Sequence, residues 1–185
     1  MGLAEQKRMD KAEWIRQALQ EFERPLTRYA ARLMGDLERG RDVVQDTFMR
    51  LCQEKPPRIR DHLAEWLFTV CRNRALDVLR KESRMSTITQ TQIDARPGQQ
   101  PGPLRVVAAR EDMSRVSRIL SGLPERQQEL VRLKFQEELS YREMSRVTGL
   151  SETNVGFILH TALKTVRRKL KNQANAGARL QGRIS

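Results

Sequence analysis

The sequence has few of the residues from which catalytic and metal sites are built. It contains two cysteines, Cys52 and Cys71, and the two histidines His62 and His160 are the only companion ligands for a zinc ion. Because each cysteine lies among apolar residues of a predicted helix, we expect buried free thiols. The sequence also lacks a Gly-rich phosphate loop, an H-E-x-x-H motif and a Ser/His/Asp set. We therefore expect no catalytic site, no bound metal and no cofactor.

Aromatic residues and long apolar runs are also scarce. Aromatics make up 5% of the 185 residues, and β-branched residues are few beside Arg, Leu, Glu, Gln and Ala, which argues against an extended β fold. No apolar run approaches the roughly 18 residues of a membrane-spanning helix, and residues 1–11 contain no hydrophobic stretch typical of a signal peptide. We expect a cytoplasmic, all-α protein without membrane insertion.

Positive charge dominates the sequence. There are 35 Lys and Arg against 23 Asp and Glu, which gives a net charge of +12 and favours a polyanionic partner. Ser, Thr, Gln, Pro and Gly accumulate over residues 84–110, a composition typical of a linker. The sequence therefore predicts two small helical bundles joined by a flexible linker: an N-terminal unit over residues 10–83, a C-terminal unit over residues 111–172 and a tail over residues 173–185. Basic residues outnumber acids most strongly in the C-terminal unit.

The N-terminal unit is predicted to contain several short helices and one long one. Pro25 is placed to open a second helix, since its missing N–H costs nothing in a first turn. Gly35 and Gly40 are expected to bracket a turn. A helix over about residues 41–54 follows, and a longer one covers about residues 61–82.

Three residues with acceptor side chains form an acidic strip on the helix over residues 41–54. The strip consists of Asp42, Gln45 and Asp46, at offsets i, i+3 and i+4, opposite the apolar face of that helix. These side chains would repel DNA, but they suit a protein partner that presents Arg or Lys. A solvated face balanced by neighbouring arginines is the alternative, and it is favoured when the strip is considered alone.

Cations and an amide follow one another on the long helix. This set consists of Arg72, Asn73, Arg74, Arg80 and Lys81, and the loop before the helix adds Arg58 and Arg60. A groove lined by such cations and an amide can hold single-stranded nucleic acid: the cations neutralise phosphates, and unstacked bases bind in pockets. The nearby aromatics Trp66 and Phe68 are expected in the core rather than as stacking platforms.

The C-terminal unit carries the pattern of a helix-turn-helix. Ser140 and Glu143 have the spacing of a capping box that starts a short helix. Gly149 can supply the positive φ of a tight turn, and Ser151 is a good N-cap for a second helix. Two helices joined by so short a turn are typical of this motif.

The exposed face of that second helix is predicted to bind DNA. Together with the cap, its residues are Ser151, Thr153, Asn154, Phe157, His160, Lys164, Arg167 and Arg168. No acid lies between residues 154 and 171. A major groove accepts a helix whose N-terminal residues reach bases while later cations meet phosphates. The alternative is a solvated helical hairpin that serves only for packing.

These three patterns, in this order, resemble the extracytoplasmic-function (ECF) sigma factors, which direct bacterial RNA polymerase to promoters. The resemblance covers both helical units and leaves out the termini and the linker. It implies an N-terminal unit similar to sigma region 2 and a C-terminal unit similar to sigma region 4. The matching stretches are DVVQDTF at residues 42–48, EWLF through RNRALDVLR at 65–80, LPERQ at 123–127 and LSYREM at 139–144.

The resemblance implies a role for each pattern. The acidic strip would contact the clamp helices of the polymerase β′ subunit, and the β subunit is a further expected contact. The loop over residues 56–61 and the long helix would bind and help melt the minus-ten element. The helix-turn-helix would read the minus-thirty-five element. Core RNA polymerase and promoter DNA are therefore the expected partners, together with an anti-sigma factor that the resemblance does not identify.

One segment of the second helix departs from the commoner pattern of the family. After Asn154 and Val155 many members place a basic residue, whereas Gly156, Phe157 and Ile158 follow here. The bases that the family reads at the minus-thirty-five element therefore do not transfer to this chain.

Two other classes of function stay open at this point. A stand-alone helix-turn-helix repressor would bind a palindromic site as a dimer without polymerase. Such a repressor has no use for the acidic strip. A nuclease that acts on a captured single strand is a third hypothesis, and the lack of a carboxylate and histidine cluster argues against it.

Overall fold

Two stretches of the chain, residues 3–89 and 116–181, are described by the computed structural model of the protein, with side chains described over residues 11–84 and 116–172. They belong to two units: residues 1–100 are grouped with residues 146–148 in the first, and the remaining residues between 101 and 185 form the second. Within the described stretches short turns join helices and there is no strand, so the all-α prediction is confirmed. Residues 84–89 of the predicted linker and residues 173–181 of the predicted tail are helical. The rest of the linker lies outside these stretches, and the domain boundaries stay predictions.

The helix predicted over residues 61–82 begins at Leu63 and continues to Thr89, and the one predicted over residues 41–54 covers Leu37–Gln53. The described part of the first unit consists of α1 (Leu3–Met34), α2 (Leu37–Gln53), α3 (Pro56–Ile59), a 3₁₀ turn (Arg60–His62) and α4 (Leu63–Thr89). The described part of the second unit consists of α5 (residues 116–121), α6 (Glu125–Phe135), α7 (Tyr141–Thr148) and α8 (Glu152–Gln181). Among these residues no helix is both long and apolar enough to span a bilayer.

The predicted helix break at Pro25 is wrong, because α1 continues through this residue. A proline inside a helix removes one backbone hydrogen bond and crowds the carbonyl four residues earlier, which costs about 3 kcal/mol. Just beyond Pro25, Leu26 and Ala30 are fully buried and Tyr29 is nearly so. Burial of large apolar side chains contributes about 1.5–3 kcal/mol each, so tertiary packing offsets the cost of the proline.

The turn predicted between Gly35 and Gly40 is confirmed at Gly35, where φ is 71°, but Gly40 lies inside α2, so the prediction is wrong for Gly40. The helix begins at Leu37, where the Asp36 carboxylate caps it by accepting a hydrogen bond from the Arg39 N–H at 2.8 Å. At Gly40 the helix approaches α1 so closely that a Cβ would lie 2.6 Å from the backbone nitrogen of Ala31. The missing side chain therefore sets the distance between α1 and α2.

The core of the first unit lies where α1, α2 and α4 pack against one another. Its fully buried leucines are Leu26, Leu51 and Leu67. The rings of Tyr29 on α1 and Phe68 on α4 meet edge to face, with centroids 5.2 Å apart and an interplanar angle of 77°. The prediction that Phe68 belongs to the core is confirmed, whereas Trp66 is only half-buried.

The two cysteines have different environments. Cys71 is fully buried, and desolvation raises the pKa of its thiol to about 12, opposed by a side-chain hydrogen bond with Thr47. Cys52 is exposed. The prediction of a buried thiol is therefore confirmed for Cys71 and wrong for Cys52. Within the described part of the chain, no three His, Cys, Asp or Glu side chains come together as possible metal ligands.

α7 and α8 form the helix-turn-helix of the second unit. Ser140 and Glu143 form both halves of a capping box, in which the Glu143 carboxylate accepts a hydrogen bond from the Ser140 N–H at 2.7 Å. Gly149 ends α7 with a φ of 73°. The Ser151 hydroxyl caps α8 by accepting a hydrogen bond from the Asn154 N–H at 3.2 Å. The predicted caps and turn of this motif are confirmed.

α8 packs its apolar stripe on α6. The buried residues of this core include Leu130, Leu133, Met144, Val155, Leu159 and Ala162. Further along the predicted stripe, Val166 and Leu170 are half-buried. The turn before α7 is closed by the Leu139 N–H, which donates to the Leu133 carbonyl at 3.0 Å. One side of α8 is therefore held by the core and the opposite side is left to solvent.

Gly40→Ala should destabilise the first unit by about 1–3 kcal/mol, because the new methyl group meets the α1 backbone and forces the helices apart. The sign of the stability change is informative, because a Gly→Ala substitution in an unstrained helix stabilises the protein by about 0.5–1 kcal/mol. The urea midpoint of Cys71 alkylation, measured in a Cys52→Ser background, reports on this unit alone. Gln45→Ala, at an exposed position of α2, is the control and should change the stability by less than about 0.5 kcal/mol. An unchanged or higher midpoint for Gly40→Ala would contradict the close helix contact.

Gly149→Val should destabilise the second unit by about 1 kcal/mol or more, because a β-branched residue tolerates a φ of 73° poorly. No atom lies within 4 Å of a Cβ built at this position, so backbone strain alone is tested. Gly149→Asn is the matched variant and should cost less, since Asn adopts the left-handed conformation more readily. Amide hydrogen exchange in peptides from α7 and α8 measures both. Equal exchange in the two variants would argue against strain at this turn.

Candidate functional site

The side chains that the sequence assigned to DNA all lie on the solvent side of the helix-turn-helix. The exposed set is Ser151, Thr153, Asn154, Phe157, His160, Lys164, Arg167 and Arg168. With 3.6 residues per turn, the members on α8 lie within a sector of about 140° around the helix. The buried stripe of Val155, Leu159 and Ala162 occupies the opposite side. α8 therefore presents one continuous face to a partner.

Charge is distributed unevenly along this face. Residues 153–160 contain no Lys, Arg, Asp or Glu. The first cation, Lys164, lies about 15 Å beyond Asn154 along the helix axis. Arg167 and Arg168 follow it, and no acid occurs among residues 153–171. In a major groove, the uncharged N-terminal half can reach base edges while the cations contact phosphates.

Two aromatic rings are exposed at the N-terminal half of α8. Phe157 is 69% exposed, and Tyr141, the first residue of α7, is 45% exposed. A Cβ at Gly156 would lie 3.5 Å from the Tyr141 ring, so this ring packs over the α8 backbone next to Phe157. The Lys134 ammonium lies 5.8 Å from the centroid of the same ring. Sequence reasoning included Tyr141 in the matching stretch over residues 139–144 but assigned it no role in binding.

The acidic strip is exposed at Asp42 and Gln45 and half-buried at Asp46. The Asp46 carboxylate accepts a hydrogen bond from the Arg74 Nε at 2.6 Å, in an ion pair that joins α2 to α4. The side chains of Asp46 and Arg74 stay 43% and 39% exposed, so a partner can reach both. The structure thus brings together two residues that the sequence assigned to different partners.

A surface cavity of about 330 Å³ lies beside this ion pair. Its lining adds Thr47, Met49, Arg50, Gln53 and Val70 to the two paired residues. Met49 is 58% exposed, and sequence reasoning missed it. A carboxylate next to an exposed apolar side chain suits a protein surface that carries both basic and apolar residues.

The cations assigned to the long helix and its preceding loop face solvent to different degrees. The exposed members of the set, with the amide, are Arg58, Arg60, Asn73, Arg80 and Lys81, and Arg72 is half-buried. Arg80 donates to the Asp77 carboxylate at 2.9 Å, one turn earlier on α4. Exposed ion pairs of this kind contribute at most about 1 kcal/mol to stability. A phosphate can therefore replace Asp77 as the partner of Arg80, or Asp46 as the partner of Arg74.

Two family models match the chain. The Sigma-70 region 2 model matches residues 18–85, and the Sigma-70 region 4 model matches residues 113–170. The first match contains the acidic strip and the second contains the helix-turn-helix.

Proteins similar to this chain along most of its length include two sigma factors. The ECF RNA polymerase sigma factor SigL of Mycobacterium tuberculosis is 30% identical over 149 residues, which cover 79% of this chain and 82% of that protein. The ECF RNA polymerase sigma factor SigM of Bacillus subtilis is 28% identical over 151 residues, which cover 81% of this chain and 88% of that protein.

A solved structure has the same fold. It is the sigma factor RpoE of Bartonella quintana, crystallised with the anti-sigma factor NepR. The match has a TM-score of 0.60 at 22% identity, and it covers 84% of this chain and 96% of that chain.

Proposed function

Because this chain belongs to the ECF sigma factors of bacterial RNA polymerase, we propose that its two helical units bind core polymerase together and place it on promoters with a minus-ten and a minus-thirty-five element. One observation carries the proposal: the acidic strip lies on the first unit, whereas residues 153–171 of α8, in the second unit, contain cations and no acid. Carboxylates suit a protein partner rich in Arg or Lys, and a basic helix face suits DNA.

The acidic strip and the cavity beside it form the surface for core polymerase. Asp42 and Gln45 face solvent, and Asp46 stays accessible beside Arg74. Their acceptor oxygens suit the basic side chains of the β′ clamp helices. The β subunit is a further contact of the same enzyme.

α3, the 3₁₀ turn and α4 form the surface for the minus-ten element. The segment predicted as a loop is helical: α3 carries Arg58 and the 3₁₀ turn carries Arg60. Together with Asn73, these two elements line a pocket for an extruded non-template base. The neighbouring backbone phosphates are held by Arg72, Arg74, Arg80 and Lys81. Because the ion pairs of Arg74 and Arg80 are exposed, exchanging a carboxylate for a phosphate costs these arginines little.

The exposed face of α8 reads the minus-thirty-five element. Thr153, Asn154, Phe157 and His160 face the bases, and Lys164, Arg167 and Arg168 face the phosphates. Neither unit binds promoter DNA tightly alone, because each makes few contacts and the polymerase fixes their separation across the linker over residues 84–110.

The proposal assigns no enzymatic step to the chain itself. It binds and melts promoter DNA, while the polymerase forms the phosphodiester bonds, and it acts in the cytoplasm, where bacterial transcription takes place. The similar sigma factor RpoE of Bartonella quintana is in complex with an anti-sigma factor. An anti-sigma protein that covers one of the binding faces is therefore a further proposed partner.

Run-off transcription tests this function. Core polymerase free of other sigma factors is supplied with a promoter library from the source genome, with and without the full chain. We expect new, discrete start sites only when the chain is present. No start sites, together with tight binding of the chain alone as a dimer to a palindromic DNA, would instead identify a stand-alone repressor.

Asp46→Arg should weaken association with core polymerase by about tenfold or more, because like charges across an interface are strongly unfavourable. Pull-down with core enzyme and a binding titration measure the loss. The substitution also places two guanidinium groups beside each other, so the effect has two possible causes.

The double variant Asp46→Arg with Arg74→Asp separates these causes. It restores an ion pair between α2 and α4 but keeps the reversed charge at position 46. We expect core binding to stay weak. Recovery of binding would mean that Asp46 matters only as the partner of Arg74, and unchanged binding in the single variant would rule out the clamp contact.

Asn154→Ala and His160→Ala should each change which minus-thirty-five sequences support transcription and leave core binding unaltered, because both side chains lie on the exposed face of α8. A lost base contact costs about 1–3 kcal/mol, or roughly five- to over a hundredfold at one base pair. Promoter selection with randomised upstream elements gives the preference, and the pull-down supplies the control. Loss of core binding in parallel would show that this face contacts polymerase rather than DNA.

A further inference from the structure

We propose that Phe157 recognises a thymine in the upstream promoter element by packing its ring on the C5 methyl group. The inference rests on the proposed function of α8 and adds the base that one position of this helix selects. It starts from the exposure of the apolar Phe157 ring to solvent.

Phe157 is 69% exposed in a face made otherwise of polar and basic side chains. A phenyl ring gains free energy when it is removed from water, and Phe157 lies next to the exposed ring of Tyr141, so two aromatic rings at one end of the face suit contact with a partner. The partner is DNA rather than protein because the same face carries Lys164, Arg167 and Arg168 without any acid. Phe157 lies within the uncharged half of the face, which reaches base edges.

The chemistry of the major groove then selects the base. Guanine, cytosine and adenine present hydrogen-bonding groups at the positions that distinguish them, and thymine adds a methyl group at C5. A phenyl ring can neither donate nor accept a strong hydrogen bond, so covering a polar base edge with it strips water without compensation. The methyl group of thymine is the edge that gains from the contact.

The backbone of α8 that carries the Phe157 ring is held on both sides. The Thr161 hydroxyl donates to the Phe157 carbonyl at 2.9 Å, inside the continuous helix. On the N-terminal side, the Tyr141 ring packs over Gly156. A side chain anchored in the interior of a capped helix has few rotamers to choose from, which suits recognition of a single methyl group.

Replacing single thymines of the upstream element by deoxyuridine tests this contact. Uracil keeps the base pair and its hydrogen-bonding groups and loses only the methyl group. Holoenzyme assembled with the full chain is titrated on each substituted promoter fragment. At one thymine we expect promoter affinity to fall about fourfold, the effect of exposing one methyl group. Phe157→Ala should bind the thymine and uracil versions of that fragment equally.

Two variants serve as controls. Phe135→Ala removes the same side chain from α6, where the ring is 59% exposed outside the α8 face, and it should keep the sensitivity to uracil. Lys164→Ala should weaken binding of both promoter versions to the same extent, because phosphate contacts do not depend on the base. Circular dichroism melting verifies that each variant is folded.

The outcomes separate this inference from the proposed function. If Lys164→Ala weakens binding but uracil has no effect at any position, or if Phe157→Ala stays sensitive to uracil, only the thymine contact is overturned. Equal losses on both promoter versions with Phe157→Ala would mean that the ring contacts a protein, which also overturns it. If neither variant changes promoter binding, the DNA role of α8 itself fails.

Discussion

Each long helix of this chain buries one narrow apolar stripe, and this constraint determines what its other faces can do. Hydrophobic residues make up 38% of the sequence and charged residues 31%, so the cores are small and most of each helix stays in solvent. On α8 the stripe of Val155, Leu159 and Ala162 holds the helix against α6. The orientation of the exposed face of α8, the proposed DNA surface, follows directly from the burial of these three side chains.

In the first unit, the same packing brings the two proposed binding surfaces next to each other. α2 carries the acidic strip and α4 carries the cations, and the two helices share a core. The ion pair between Asp46 and Arg74 lies at their common edge. An exposed pair of this kind contributes at most about 1 kcal/mol to stability, so its main importance is its position between the proposed polymerase and DNA surfaces.

Features that depend on a few neighbouring residues were predictable from the sequence. The capping box of Ser140 and Glu143, the left-handed turn at Gly149 and the cap at Ser151 each involve side chains and backbone within four residues. The family was predictable as well, because its motifs keep their order and spacing along the chain. The roles of individual residues are proposals argued from their charge, their exposure and the family resemblance.

The sequence by itself determined the helical fold, the caps of the helix-turn-helix, and the acidic and basic faces of the helices. Each of these depends on the spacing of residues that are close together in the sequence. Only the tertiary structure decided that α1 continues through Pro25, that Gly40 lies against Ala31 and that Cys52 is exposed. It also paired Asp46 with Arg74, which lies 28 residues further along the chain. Contacts between helices determine these features. Such contacts depend on the distance between the packed helix backbones, which no local pattern of residues specifies.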